Sequence, residues 1–414
     1  MPGRPWSGAS PSGTSAVVAR ILALLTLLVA VPVALSAAGD HLFVWAADAD
    51  GADPDFVAVL DARQGTRGYG EVVATLPIAR GAGAHHSEYE MPADGRLFVN
   101  GFASGRSFVV DLRRPRSPRL IASFEARGDL AYAHSFARLP GGNVLATFQS
   151  SVHGSDETGG LAELDPKGDV VRAASAAEAS RPSIRPYSLA VVPALDRVVS
   201  TTTDMRGRVA NDTVQVWRAS DLELLATVVL PRGPRGTEAA HPVEPRLLGD
   251  GRTVLVVTFG CGLYRLLDLD GAPRARLVHA FAHRRADGVP YPDATFCAVP
   301  AVVDDVWVQT VPARDGLVAI DVADPAVPRQ VGFVDLGPDR YPHWLAADPG
   351  GRRLVVTGYG QLARRVVVVR LDPATGALEI DTGFGGGAGV DFERESWPHG
   401  ATGAALPHGA VFSR

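Results

Sequence analysis

The stretch Asp94-Gly95-Arg96-Leu97-Phe98-Val99, followed within a few residues by Phe108-Val109-Val110-Asp111, decides how the chain reads. A Gly/Asp turn leads into a short apolar run, and a second run then closes on aspartate, which is how antiparallel strands are written in sequence. The first run returns at Leu42-Phe43-Val44, Val144-Leu145-Ala146, Val198-Val199-Ser200, Val254-Leu255-Val256, Val306-Trp307-Val308 and Leu354-Val355-Val356, about every fifty residues. The second returns as Phe56 to Asp61, Leu161 to Asp165, Leu263 to Asp268, Leu317 to Asp321 and Val366 to Asp372; only Val214-Gln215-Val216-Trp217 lacks the acid. Third strands such as Val72 to Ile78 and Leu120 to Phe124, with one strand before each Gly/Asp turn, make four strands per repeat. Seven such repeats predict an all-β, seven-bladed β-propeller over residues 39–414. Its first repeat opens on a second strand, while Gly400 to Leu406 has the place of a first strand, so the C-terminal strand is expected to close blade one.

Residues 1–38 differ in kind. Arg20 precedes an apolar run from Ile21 to Val33 and then Ala34-Leu35-Ser36-Ala37-Ala38, the order of a secretory signal peptide, or of an N-terminal anchor if it is not cleaved. A periplasmic or secreted location is expected, with a membrane contact only through an uncleaved segment. The net charge of −5 and a pI near 6.1 leave no basic stripe to neutralise phosphates, which argues against a nucleic-acid partner. No phosphate-binding glycine loop, nucleophile elbow or CxxC pair is present.

Counting back from each second strand, a slot nine to thirteen residues upstream holds His86, His134, Tyr187, His241, Cys297 and His343, and the C-terminal strand adds His399. In a propeller these positions form a ring at one channel mouth. Converging neutral imidazoles without acids suit copper or another first-row transition metal better than magnesium or calcium. His85 is a further candidate ligand, and Glu88, Glu90 and Glu244 are candidate acceptors to hold the ring tautomers. His41, His153, His279, His283 and His408 fall in turns or outer strands and receive no role. Cys261 and Cys297 end facing strands of adjacent blades, so either a disulfide or a cysteine metal ligand at Cys297 is open.

Ala84-His85-His86-Ser87, Ala131-Tyr132-Ala133-His134-Ser135 with Gly141-Gly142-Asn143-Val144, Asp315 to Pro325 with Pro328, and Pro398-His399 together resemble the selenium-binding protein and methanethiol oxidase family of seven-bladed propellers. The resemblance implies a copper site at His85, His86, His134 and His399 and oxidation of a small thiol. The cysteine-rich segment that follows the histidine pair in that family is absent, His86 leading into Ser87-Glu88-Tyr89-Glu90-Met91-Pro92. Two other readings compete with an exported copper oxidoreductase acting on a small molecule. One is a non-catalytic binding scaffold with a structural metal or none, and the other a metal-dependent hydrolase, which the shortage of aspartate in the slots disfavours.

Overall fold

The apolar runs lack the polar alternation of a one-sided sheet because both of their faces are buried. Phe43 and Trp45 pack toward one neighbouring repeat and Leu42 and Val44 toward the other. Leu97 and Val99 likewise oppose Phe98, and Leu255 and Val257 oppose Val254 and Val256. Period-two geometry thus sends alternate side chains to different junctions. Seven hydrophobic clusters result, one between each pair of adjacent blades. Each fully buried Val, Leu or Phe in them contributes roughly 1.5–3 kcal/mol.

The computed structural model describes residues 39–154, 157–178, 183–206, 211–282 and 296–414. The expected signal segment and His283 lie outside them. Seven sheets of four principal antiparallel strands stand in a ring, a seven-bladed β-propeller. The innermost strands of blades 1 to 7 are Thr402–Phe412, Ala84–Ser87, Leu130–Arg138, Leu189–Val192, Pro242–Leu247, Pro300–Val303 and Pro342–Ala347. Neighbouring inner strands contact one another around the axis. Among the described residues no helix is long and apolar enough to cross a membrane.

Blade 1 is closed as expected, but by a longer strand. Thr402–Phe412 pairs with His41–Asp48 in a register running from Ala405 opposite Asp48 to Phe412 opposite Leu42. The strand therefore continues beyond Leu406, and His408 lies inside it.

Five inner strands carry a β-bulge at the same level, where extra residues break the pairing with the second strand. The register shifts between Ala84 and Ser87, Ala133 and Phe136, Pro242 and Glu244, Pro342 and Trp344, and Pro407 and Ala410. A bulge bends the strand and re-aims its side chains.

At that level a polar side chain of the second strand staples one blade to the next. Trp45 Nε1 donates to Asn100 O (2.8 Å), Asn100 Nδ2 to Ala133 O (3.0 Å), Thr147 Oγ1 to Tyr187 O (2.7 Å) and Thr201 Oγ1 to Val243 O (2.7 Å). Thr310 Oγ1 reaches His343 O (3.4 Å), and Thr357 Oγ1 donates to His408 O. Thr258, at the same place in blade 5, turns its hydroxyl to Glu238 O in its own blade. The seam between blades 5 and 6 is instead crossed by the Cys261–Cys297 disulfide, with Cα atoms 5.1 Å apart. Of the two roles open for Cys297, the disulfide is the one present.

Candidate metal centre

Four of the five bulges carry histidine: His85 and His86 in blade 2, His134 in blade 3, His343 in blade 7 and His408 in blade 1. Aimed inward, these five rings meet. His85 lies 4.1 Å from His86 between centroids, 4.3 Å from His408, 5.0 Å from His134 and 6.3 Å from His343. His86 to His134 is 4.4 Å and His343 to His408 is 4.8 Å. All five are buried.

Gly409 permits this approach. A Cβ on it would stand 2.7 Å from Ser87 N and 2.9 Å from His85 O, closer than packed atoms allow. Only a residue without a side chain lets the blade 1 strand pass against the His85–His86 bulge.

The donor atoms fit a metal. Both ring nitrogens of His85 and His343, and Nε2 of His86, His134 and His408, are buried without a protein partner, against the rule that buried polar atoms are satisfied. One ligand atom each from His85, His86 and His408 lie within 4.8 Å of one another. A tetrahedral ion with bonds of about 2.0 Å would draw such nitrogens to roughly 3.3 Å apart. His134 is preset. Its Nδ1 lies 2.7 Å from Tyr187 O, which can only accept, so the proton sits on Nδ1 and the Nε2 lone pair faces the cluster.

Burial keeps the imidazoles neutral, the form that ligates. Desolvation pushes His134 down to about 3 and His343 to about 4. The same cause, reinforced by the neighbouring imidazoles, holds His85, His86 and His408 well below the ordinary 6.5.

The structure brings together His85, His86, His134 and His343, and leaves out two sequence candidates. His399 sits in the turn before the last strand, its Nδ1 on Thr75 Oγ1 at 2.8 Å and its ring on Phe56 at 4.9 Å, toward the outer part of blade 1. His241 precedes the blade 5 inner strand in a left-handed conformation (φ 56°), and that blade's bulge carries Val243. His408, given no role from sequence, takes the blade 1 position. The signal was the dipeptide Pro-His, which occurs at 342–343, 398–399 and 407–408; the first and third lie on inner strands.

The three glutamates do not hold the rings. Glu88 bonds Arg138 Nε (2.6 Å) and Phe98 N (2.9 Å), and burial raises it to about 7 despite the arginine. Glu90 is exposed. Glu244 accepts from Tyr89 Oη (2.7 Å), Ser188 Oγ (2.8 Å) and Arg246 Nη1 (2.7 Å). The acceptors beside the histidines are Tyr187 O and Ser135 Oγ.

Two openings flank the cluster. On the bulge side a cavity of about 350 Å³ ends on His85 and His408, walled by Phe102, Met205, Tyr359 and Leu406. On the other side a funnel of about 910 Å³ is lined by Tyr89, Arg246 and Arg138 among others. Between the histidines and the funnel stands Trp344, 4.9 Å from His86 and stacked on Tyr89 at 4.9 Å.

No family model and no curated protein matches the chain. Solved structures do match. One is a hypothetical selenium-binding protein from Sulfolobus tokodaii, 17% identical with a TM-score of 0.72, over 91% of this chain and 94% of that one. Another is a periplasmic gluconolactonase from Pseudomonas aeruginosa, 16% identical with a TM-score of 0.61, over 90% and 99%. A putative 6-phosphogluconolactonase from Bacteroides fragilis follows at 12% and 0.59, over 92% and 99%. At these identities the likeness establishes the fold: the chain is a seven-bladed β-propeller similar in architecture to these three proteins.

Proposed function

We propose that this is an exported metal-binding propeller that oxidises a small thiol, with dioxygen as the electron acceptor, at a copper ion held by His85, His86 and His408, with His134 and His343 beside them. The observation that carries the reading is the set of buried imidazole nitrogens, from four separate blades, that have no protein partner and face one another. Bound copper would supply one-electron redox chemistry and affinity for a soft sulfur donor. The protein's part is to hold neutral ring nitrogens in place, to fix the His134 tautomer through Tyr187 O, and to exclude water with Phe102, Trp344 and Tyr359. The 350 Å³ cavity gives a small molecule a path to His85 and His408 past mostly apolar walls. Export is supported by the disulfide, which is stable in an oxidising compartment.

Elemental analysis of protein purified from its native compartment, with oxygen uptake on methanethiol, tests the reading. One copper per chain and uptake that stops on chelation are expected. Metal-free protein that still consumed oxygen would reject it, and zinc without turnover would move the function to a structural metal in a binding scaffold.

A further inference from the structure

Asn100 occupies the staple position where the other blades have threonine or, in blade 1, Trp45. It stands between the bulge of His85 and His86 and the bulge of His134. Its Oδ1 accepts from His86 N at 2.7 Å, its Nδ2 donates to Ala133 O at 3.0 Å, and its carbonyl accepts from Trp45 Nε1 at 2.8 Å. One fully buried side chain therefore grips the backbone of a histidine in blade 2 and of the residue before a histidine in blade 3. Bulge backbone is where the ladder does not fix position, and His86 N–H finds its partner in this side-chain amide of the neighbouring strand, not in a backbone carbonyl.

We propose that Asn100 is a positioning residue of the metal centre: it sets the separation and aim of the His85–His86 pair relative to His134 without touching the ion. This rests on the metal reading above. A planar amide presents acceptor and donor in one rigid unit, so displacement of one bulge is passed to the other. Thr147 performs the same double duty one blade on, accepting from Ser135 N (3.0 Å) while donating to Tyr187 O. A threonine can therefore replace the amide in kind.

Cobalt(II), whose visible bands report ligand geometry, is the probe, titrated into the metal-free full chain. Asn100→Val is expected to weaken binding about 10- to 100-fold, as loss of a group orienting a ligand does, and to shift the bands. Asn100→Thr restores both to near the wild type. Trp45→Phe, which removes the bond to the Asn100 carbonyl but neither bond to a bulge, lowers the melting temperature and leaves affinity and bands alone. Folded Asn100→Val with wild-type affinity and bands overturns the proposal, as does a loss in Trp45→Phe equal to that in Asn100→Val. Should Asn100→Val not fold, Asn100→Ala takes its place, since it too offers neither bond; affinity equal to that of Asn100→Thr then counts against the role. A wild type that binds no cobalt removes the metal reading and this role together, whereas a change absent from the variants removes only the role.

Discussion

Blades 7, 1, 2 and 3 and blades 4, 5 and 6 share one backbone plan and put it to different use. In the first group every inner strand has a bulge and every bulge a histidine. In the second, Tyr187 and Ser188 both bond Thr201 ahead of a regularly paired strand, Val243 lies in the blade 5 bulge, and Cys297 is tied to Cys261. Blade 5 shows that the bulge alone does not make a ligand, and His241 shows that a histidine near the slot does not either. The centre needs both, and it gathers on one side of the channel while a covalent bridge holds the other.

The sharpest break of that contrast is His85→Ala with His408→Ala, expected to abolish metal binding in a titration while the fold persists by circular dichroism; retained binding would mean the ligands lie elsewhere. Next comes Cys261→Ser with Cys297→Ser. Removing a bridge that closes a 36-residue separation costs about 3–4 kcal/mol on the chain-entropy estimate. Denaturant melts should register it, with faster hydrogen exchange at the blade 5–6 seam and unchanged metal affinity.

Acid should separate the two groups again. His134 and His343 titrate in the folded protein at about 3 and about 4, below the ordinary 6.5 that the unfolded chain recovers. The unfolded state therefore binds more protons between those values. Stability of the metal-free protein is full above pH 6.5 and falls as the pH drops from 6.5 toward 4, by on the order of 1 kcal/mol per pH unit for each histidine. Hydrogen exchange at pH 5 should rise first in the inner strands of blades 7, 1, 2 and 3; equal loosening of blades 4 to 6 would contradict the assignment. The smallest effect belongs to His399→Ala. It loses a Thr75 contact and some packing on Phe56, worth about 1 kcal/mol or less, and metal affinity should stay at the wild-type value.

The blades were legible because each second strand is buried on both faces and must be written as an unbroken apolar run. The slots of blades 2, 3 and 7 followed by counting back from it. Blade 1 defeats that count: its inner strand follows its second strand in sequence by most of the chain, so only the position of that strand ranks His399 against His408, and a strand ending at Leu406 does not reach His408. The bulges were invisible because they depend on two residues facing one across a pair, a relation no single strand records. The glutamates lie near the histidines in sequence, yet Glu88 bonds Arg138 and not the ring of His86.

Since His408 reaches the axis only on the strand that zips against Leu42 and its neighbours, the His85, His86 and His408 group cannot assemble before the circle closes. An ion that needs all three rings would then be captured last in maturation, and would mark the molecules in which the first blade is complete.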